Sequence, residues 1–545
     1  MIADAIKKTK AFQLIKALSK RELIIFIGAL VVLAVSTTAY GLLTIQNKTF
    51  AVAKEGGDFR EGIIGQPVFI NPVIPTTQVD RDIARIIFSS VKEVSDNIKR
   101  SEDGATWNVR LKENIFWQDG ARLTADDIIF TLEVIQNPDS KSPLHASFQG
   151  VAAERVSELE VRFVLQNGYA FFENDHLENL RIIPKHIFND IPIQNFKLSS
   201  FGLNPIGSGP YKADSFEKTS DGIITSLKLK SNKDYFEGRP NIKTFTFKFY
   251  KNNEDLIRAY NLGQIDSFGI STAEPLTENK VRIRNTMHFL ESPRYYAVFI
   301  NQSLAPEELK ELEVREALTA TIDRNRITNE VFLSNATPVF GPISISKNLI
   351  KEYDPTLLEG IELNLTVPEE PFLIKTANIL KENWESQGAT VNVLIFSLRN
   401  IQENVLKNSD YELILFGNIT KENQDLFAFW HSSRRFYPDQ NLALYQNKTI
   451  DRLLEEFRQT FNTNERLDII TEINNTISED VPAIFLYTPR YAYITAPRLG
   501  GFDNNTIIST GDDRFKNIHK WYVKTRRVFK NPMTEKENQP DSSSL

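Results

Sequence analysis

Cysteine is absent from the 545 residues. That excludes a disulfide framework, thiolate metal sites, a cysteine nucleophile and the acylated cysteine of a lipoprotein. No G-x-x-x-x-G-K-[ST] loop occurs, so the chain is not itself a P-loop ATPase. No G-x-S-x-G elbow and no H-E-x-x-H pair occurs either. Gly207-Ser208-Gly209 lacks the elbow spacing, and Ser208 reads as a turn residue. The histidines (His145, His176, His186, His288, His431 and His519) never pair at i,i+3 or i,i+4, so a zinc site would need residues distant in sequence. Excess positive charge is also missing. A net charge of −6 argues against a general nucleic-acid binder. Nothing in this inventory points to an enzyme, a cofactor or a metal centre.

Apolar content is ordinary: 41% hydrophobic and 25% charged residues suit a globular chain with real cores. The length allows roughly three or four domain-sized units. Lys7, Lys8, Lys10, Lys16, Lys20 and Arg21 crowd the N-terminus, and residues 23–45 then carry no charge. As a helix, that run spans about 34 Å, enough for a bilayer core of about 30 Å. The basic side belongs in the cytoplasm, which places the bulk of the chain on the extracytoplasmic face of the cell membrane as a single-pass protein. The competing readings are a cleaved signal, for which no clear small-x-small site follows, and a buried soluble helix. With no second long apolar run, the chain does not itself form a multi-helix channel.

Period-two stretches predict strands at 106–111, 159–165, 223–230 and 242–250. Thr124 before Ala125-Asp126-Asp127 predicts a helix start, with the carboxylates meeting the positive end of the dipole. Residues 361–367, 372–387 and 391–396 read as strand, helix and strand, the signature of a parallel α/β layer. Tyr411 to Phe416 reads as another strand. It leads into Gly417 and Asn418, and then into an aromatic run containing Phe427, Phe429 and Trp430. Aromatic and polar residues at the carboxyl end of a strand suit a crevice wall, and a glycine there admits a close neighbour. An extended peptide can add as a strand at such a place. Equally, these aromatics can be core packing under a loop.

Several segments in order carry a family likeness. They are Asp103-Gly104-Ala105-Thr106-Trp107 with Leu111 to Gly120 (LKENIFWQDG), Leu123 to Thr131 (LTADDIIFT), Pro205 to Tyr211 (PIGSGPY), Val314 to Leu318 with Ile322-Asp323-Arg324, and Pro482 to Tyr487. With these the chain resembles the bacterial extracellular solute-binding proteins of family 5, the oligopeptide-, dipeptide- and nickel-binding proteins of ABC importers. The resemblance implies an α/β, two-lobed, periplasmic-binding-protein-like fold of class II type with an extra α+β subdomain, here preceded by one transmembrane helix. The expected division is a basic cytoplasmic segment (1–22), an anchor (23–45), a linker (46–57), a discontinuous lobe I (58–90, 200–290 and 490–525), the extra subdomain (91–199), lobe II (291–489) and a disordered tail (526–545).

The resemblance further implies a monomeric, membrane-anchored receptor that captures short peptides between its lobes and delivers them to an ABC permease and its ATPase subunits. By position it points to Thr77, Gln78, Phe416, Gly417, Asn418, Glu422, Asp425 and Trp430 as ligand-binding residues. One departure stands out. Members often carry an aspartate after the lobe II strand for the peptide's amino terminus, whereas Thr420 or Lys421 stands there in this sequence. Either Glu422 or Asp425 substitutes, or the ligand lacks a free amine. Alternative readings are the same fold holding a non-peptide solute, such as a metal complex or a sugar, and a surface chaperone that takes unfolded segments.

Overall fold

The structure, a computed structural model, describes residues 18–271, 281, 284–343 and 353–529. It divides into two compact units, Met1–Lys54 with Lys524–Leu545, and Glu55–Val523. In the first, Ser19 opens a helix over Lys20–Lys48, where the Glu22 N–H donates to the Ser19 hydroxyl at 3.4 Å and the Ser19 N–H to the Glu22 carboxylate at 2.8 Å. No described residue of this helix is buried in protein. Among the described residues it is the one helix long and apolar enough to cross a membrane. It passes directly into a strand, Thr49–Ala53, which pairs antiparallel with Thr525–Phe529. This corrects two expected boundaries. Residues 49–53 are strand rather than linker, and residues 526–529 are strand rather than tail. Residues 1–17 and 530–545 of the expected basic segment and tail lie outside the described residues.

Among the described residues, the larger unit is built on three sheets. A seven-stranded sheet runs in the order Thr286–Leu290, Tyr491–Thr495, Ser267–Ser271, Asp58–Ile64, Thr244–Tyr250, Ile224–Ser231, Tyr211–Lys218. Phe245 and Phe247 are buried and their neighbours half-exposed, the period of two expected from the sequence. A four-stranded antiparallel sheet, Ser95–Arg100, Thr106–Leu111, Glu160–Val164 and Ala152–Ser157, forms the extra α+β portion. The six-stranded sheet runs Ala336–Pro338, Ala483–Pro489, Arg294–Ile300, Leu413–Ile419, Glu362–Pro368, Thr390–Phe396. Its last two strands are parallel and joined by the helix Pro371–Glu385, so the strand–helix–strand reading holds. Leu363, Leu365, Val367 and Trp384 fill the core on one face. Phe299, Ile414, Trp430 and Phe485 fill the other.

The sequence motifs are joints of this frame. Gln118 donates its backbone N–H to the Gly207 carbonyl at 2.9 Å and its side-chain amide to the Tyr211 carbonyl at 2.8 Å, locking the W-Q-D-G turn onto the G-S-G-P-Y turn. Gly207 lies so close to Ile87 that an added Cβ would sit 2.0 Å from the Ile87 carbonyl oxygen. Ser208 is buried, its hydroxyl accepting from the Ser89 N–H, as suits a turn residue. Arg315 donates to the carbonyls of Leu309, Lys310, Asp480 and Val481, and Arg324 to that of Phe485. Both guanidiniums are thus spent on backbone carbonyls.

The chain passes between the two large sheets twice. Residues 291–293 separate Thr286–Leu290 from Arg294–Ile300, and Arg490 alone separates Ala483–Pro489 from Tyr491–Thr495. The passages are neighbours, because Leu290 pairs with Tyr491 on one side and Tyr296 with Tyr487 on the other.

Candidate functional site

A cleft of about 1980 Å³ opens within the larger unit. Its volume is about twice the upper end of small-ligand pockets. Three regions line it: 143–181 from the four-stranded subdomain, 402–470 from the six-stranded lobe, and 72–85 with 507–516 from the seven-stranded lobe. Acidic and basic side chains both line its walls.

The strand Leu413–Ile419 supplies one wall. It runs three residues past the expected end, taking Gly417 and Asn418 into the sheet opposite Tyr296 and Tyr295. Phe416 and Gly417 are half-buried and line the cleft. A Cβ on Gly417 would lie 2.6 Å from the Tyr296 ring, which stacks on Tyr487 at 5.4 Å. The close neighbour that requires glycine is therefore this ring. Asn418 also lines the cleft, yet its amide is spent on the Tyr295 hydroxyl at 3.0 Å. Burial, first of all, pushes that hydroxyl's pKa up.

The other expected residues fall in three groups. Trp430 is fully buried, its indole N–H donating to the Tyr295 hydroxyl at 3.1 Å, and it does not line the cleft. That corrects its placing in the wall: it is core packing beneath the loop. Thr77 caps the helix Gln78–Ile87 by accepting from the Asp80 N–H at 3.0 Å. Gln78 donates to Asp82 at 2.8 Å and Asp512 at 3.3 Å. Neither lines the cleft, because this turn is bound up with Asp80, whose carboxylate accepts from the N–H groups of Val68, Phe69, Thr76 and Thr77. Glu422 and Asp425 do line the cleft. Glu422 is exposed with no side-chain partner among the described residues, whereas Asp425 is held by Arg458 at 2.8 Å.

The residues around Asp425 bridge the walls, and local sequence offered no signal for them. Lys421 Nζ meets Asp175 Oδ1 at 2.7 Å. The Tyr169 hydroxyl lies 3.1 Å from Asp175 and 3.3 Å from Asp425. The Ala170 N–H donates to the Arg458 carbonyl at 2.7 Å, and the Phe171 and Phe457 rings meet at 5.2 Å. The Arg458 guanidinium stands 4.1 Å over Phe427. Burial opposes charge on Asp175, but Lys421 and His176 prevail and hold its carboxyl below the usual range. Burial together with Asp425 and Asp175 drives the Tyr169 hydroxyl well above its ordinary value, so it stays a donor. Arg466 stands over Phe171 at 5.0 Å and has no carboxylate partner among the described residues. Among the described residues there is no cluster of three or more histidine or acidic side chains able to hold a metal ion.

The profile of the bacterial extracellular solute-binding proteins, family 5 (middle), matches residues 89–436. The oligopeptide-binding protein AppA of Bacillus subtilis (strain 168) is 25% identical, over 92% of this chain and 99% of that protein. The dipeptide-binding protein of Escherichia coli (strain K12) is 20% identical, over 81% and 90%. Among solved structures, the ABC transporter substrate-binding protein CtaP of Listeria monocytogenes superposes with a TM-score of 0.73 at 25% identity, covering 86% of this chain and all of that one (100%). AppA in complex with a nonapeptide gives 0.67 at 24% identity, covering 87% and 100%. NikZ of Campylobacter jejuni with Ni(L-His) gives 0.67 at 21%, covering 85% and 99%. The two-lobed α/β fold, the walled cleft and the profile match agree: the chain belongs to family 5 of the bacterial extracellular solute-binding proteins.

Proposed function

We propose that the protein is a receptor that captures short peptides in the cleft and hands them to an ABC-type import permease driven by separate ATPase subunits. The observation that carries this reading is the cleft itself. It is about 1980 Å³, walled by Phe416 and Phe427, and set in a chain whose full-length relative AppA is an oligopeptide-binding protein. Phe416, Gly417, Glu422 and Asp425 form the proposed peptide wall. Thr77 and Gln78 support it from behind, by fixing the helix that carries Arg81 and Arg85 into the cleft. The helix Lys20–Lys48 serves as an uncleaved single-pass anchor, keeping a monomeric receptor near its permease at high effective concentration. Native mass spectrometry of protein purified without added ligand tests the reading. A spread of short-peptide masses is expected, and a single sharp non-peptide mass would refute it.

One observation favours a second reading. Both carboxylates deepest in the bridged region, Asp175 and Asp425, already have cationic partners, which leaves Glu422 as the open carboxylate of this loop. A solute without a free amine, peptide or not, matches that arrangement. Binding of N-acetylated and free-amine forms of one peptide separates the readings. Equal affinity supports the amine-independent one.

A further inference from the structure

The strands Thr49–Ala53 and Thr525–Phe529 form a two-stranded ribbon that belongs to neither lobe. Its register pairs Thr49 with Phe529, Phe50 with Val528, Ala51 with Arg527 and Val52 with Arg526, and the Lys54 N–H donates to the Lys524 carbonyl at 2.9 Å. Side chains therefore change in a fixed order away from the apolar helix. The first two rungs hold Phe529, Phe50 and Val528, and Phe529 is 72% exposed. Arg527 and Arg526 occupy the next two, and Lys54 and Lys524 follow. Residues 48–54 and 524–529 contain no acidic side chain. Among the described residues none of Lys48, Lys54, Lys524, Arg526 and Arg527 has a carboxylate partner. Arg527 instead donates to the Thr49 hydroxyl at 3.0 Å.

This order copies the profile of a bilayer boundary. The interfacial zone beyond the hydrocarbon is about 6 Å deep on each side. At about 3.4 Å per rung, a ribbon running on outward from the helix would carry the aromatic and aliphatic rungs into that headgroup zone and the arginines to its outer edge. No linker intervenes, because the helix ends at Lys48 and the strand begins at Thr49.

We propose that the ribbon is a membrane-contact element. Phe50, Val528 and Phe529 seat in the outer interface, and Arg526, Arg527, Lys54 and Lys524 bind anionic lipid headgroups. The C-terminal strand is thereby returned to the membrane beside the N-terminal helix. The proposal rests on the helix being an uncleaved anchor.

The absence of native cysteine makes the test clean. Full-length protein carrying Val35→Cys or Ala51→Cys is labelled with an environment-sensitive fluorophore. It is then reconstituted in phosphatidylcholine vesicles with or without phosphatidylglycerol, and quenched by spin labels placed at acyl-chain or headgroup depth. The expected result is loss of fluorescence at position 35 with acyl-chain quenchers and at position 51 with headgroup quenchers. The loss at position 51 should deepen with phosphatidylglycerol and shrink in the Arg526→Gln, Arg527→Gln variant. Quenching at position 35 without quenching at position 51 overturns the ribbon proposal and leaves the anchor intact. Quenching at position 51 that ignores both phosphatidylglycerol and the arginines overturns headgroup recognition. No quenching at position 35 overturns the anchor reading, and the ribbon proposal with it.

Discussion

Arg458→Met isolates the ion pair that holds Asp425 within one wall of the cleft. The wild-type guanidinium pairs with Asp425 at 2.8 Å, with side-chain exposures of 32% and 10%, and it also covers Phe427. Breaking one side of a buried pair costs about 3–5 kcal/mol, because the remaining charge stays out of water. Arg458 is partly open, so screening lowers that figure to about 2–3 kcal/mol. Loss of the cation from the Phe427 face adds about 0.5–1 kcal/mol. The expected cost is therefore about 3 kcal/mol in equilibrium urea unfolding in detergent. Asp425→Asn alone should cost about 1 kcal/mol, and the double variant should show a coupling of about 2 kcal/mol. A second readout concerns ligand choice. With Arg458 gone, Asp425 becomes an open carboxylate, and the preference for a free-amine tripeptide over its N-acetylated form should rise about fivefold, or about 1 kcal/mol. A single-variant cost below about 0.5 kcal/mol with no coupling would refute the assigned role of the pair.

Gly417→Ala should destabilise the protein by about 1–3 kcal/mol, because its Cβ meets the Tyr296 ring and overpacks that stack. Urea unfolding reads the cost, and a smaller cost of Gly417→Ala in a Tyr296→Ala background than in wild type would trace it to the clash. Trp430→Ala should cost about 3–5 kcal/mol, and Trp430→Phe less, since it loses the donor to Tyr295 and only part of the buried ring. Peptide affinity measured in folded protein should be unchanged in the latter. Lys421→Met tests the Asp175 pair by pH. The Asp175 carboxyl is depressed below its ordinary 3.8, so the pair's stabilisation is present above that value and is lost as pH falls through the lower folded-state value. Wild type should thus be more stable than Lys421→Met at pH 7, and the gap should close in acid. A gap that persists unchanged at low pH would mean that Lys421 acts through packing.

Much of the frame was legible because it is local. The alternation at 244–250 and the strand–helix–strand at 362–396 follow from side-chain periods of 2 and 3.6 that a single stretch displays. The family motifs were legible as joints, since glycine, proline and a capping threonine signal turns wherever they occur. The cleft was harder. Phe416, Gly417, Glu422 and Asp425 lie on one strand and the loop after it, so a single stretch of sequence places them together along the cleft lining. Trp430 was misplaced because an aromatic at the end of a strand looks the same whether it faces a ligand or a core. The partners Asp175, Tyr169 and Arg458 are far from Lys421 and Asp425 in sequence, and nothing near either member announces the pairing. The ribbon was missed for the same reason. Five residues of weak alternation at 49–53 read as linker until their partner strand at 525–529 is brought alongside.

The two neighbouring passages between the sheets, residues 291–293 and Arg490, have a mechanical consequence. Two short tethers fixed side by side leave a body free to swing about the line through them and resist nearly every other rotation. Tethers placed this way favour one coordinate of lobe motion over the others, the opening angle of the cleft. Lys421, Asp175, Arg458 and Tyr169 stand across that coordinate, so changes there reset the resting angle. Changes at Arg490 or Pro293 would instead alter how fast the angle is explored, with the ligand's contacts untouched.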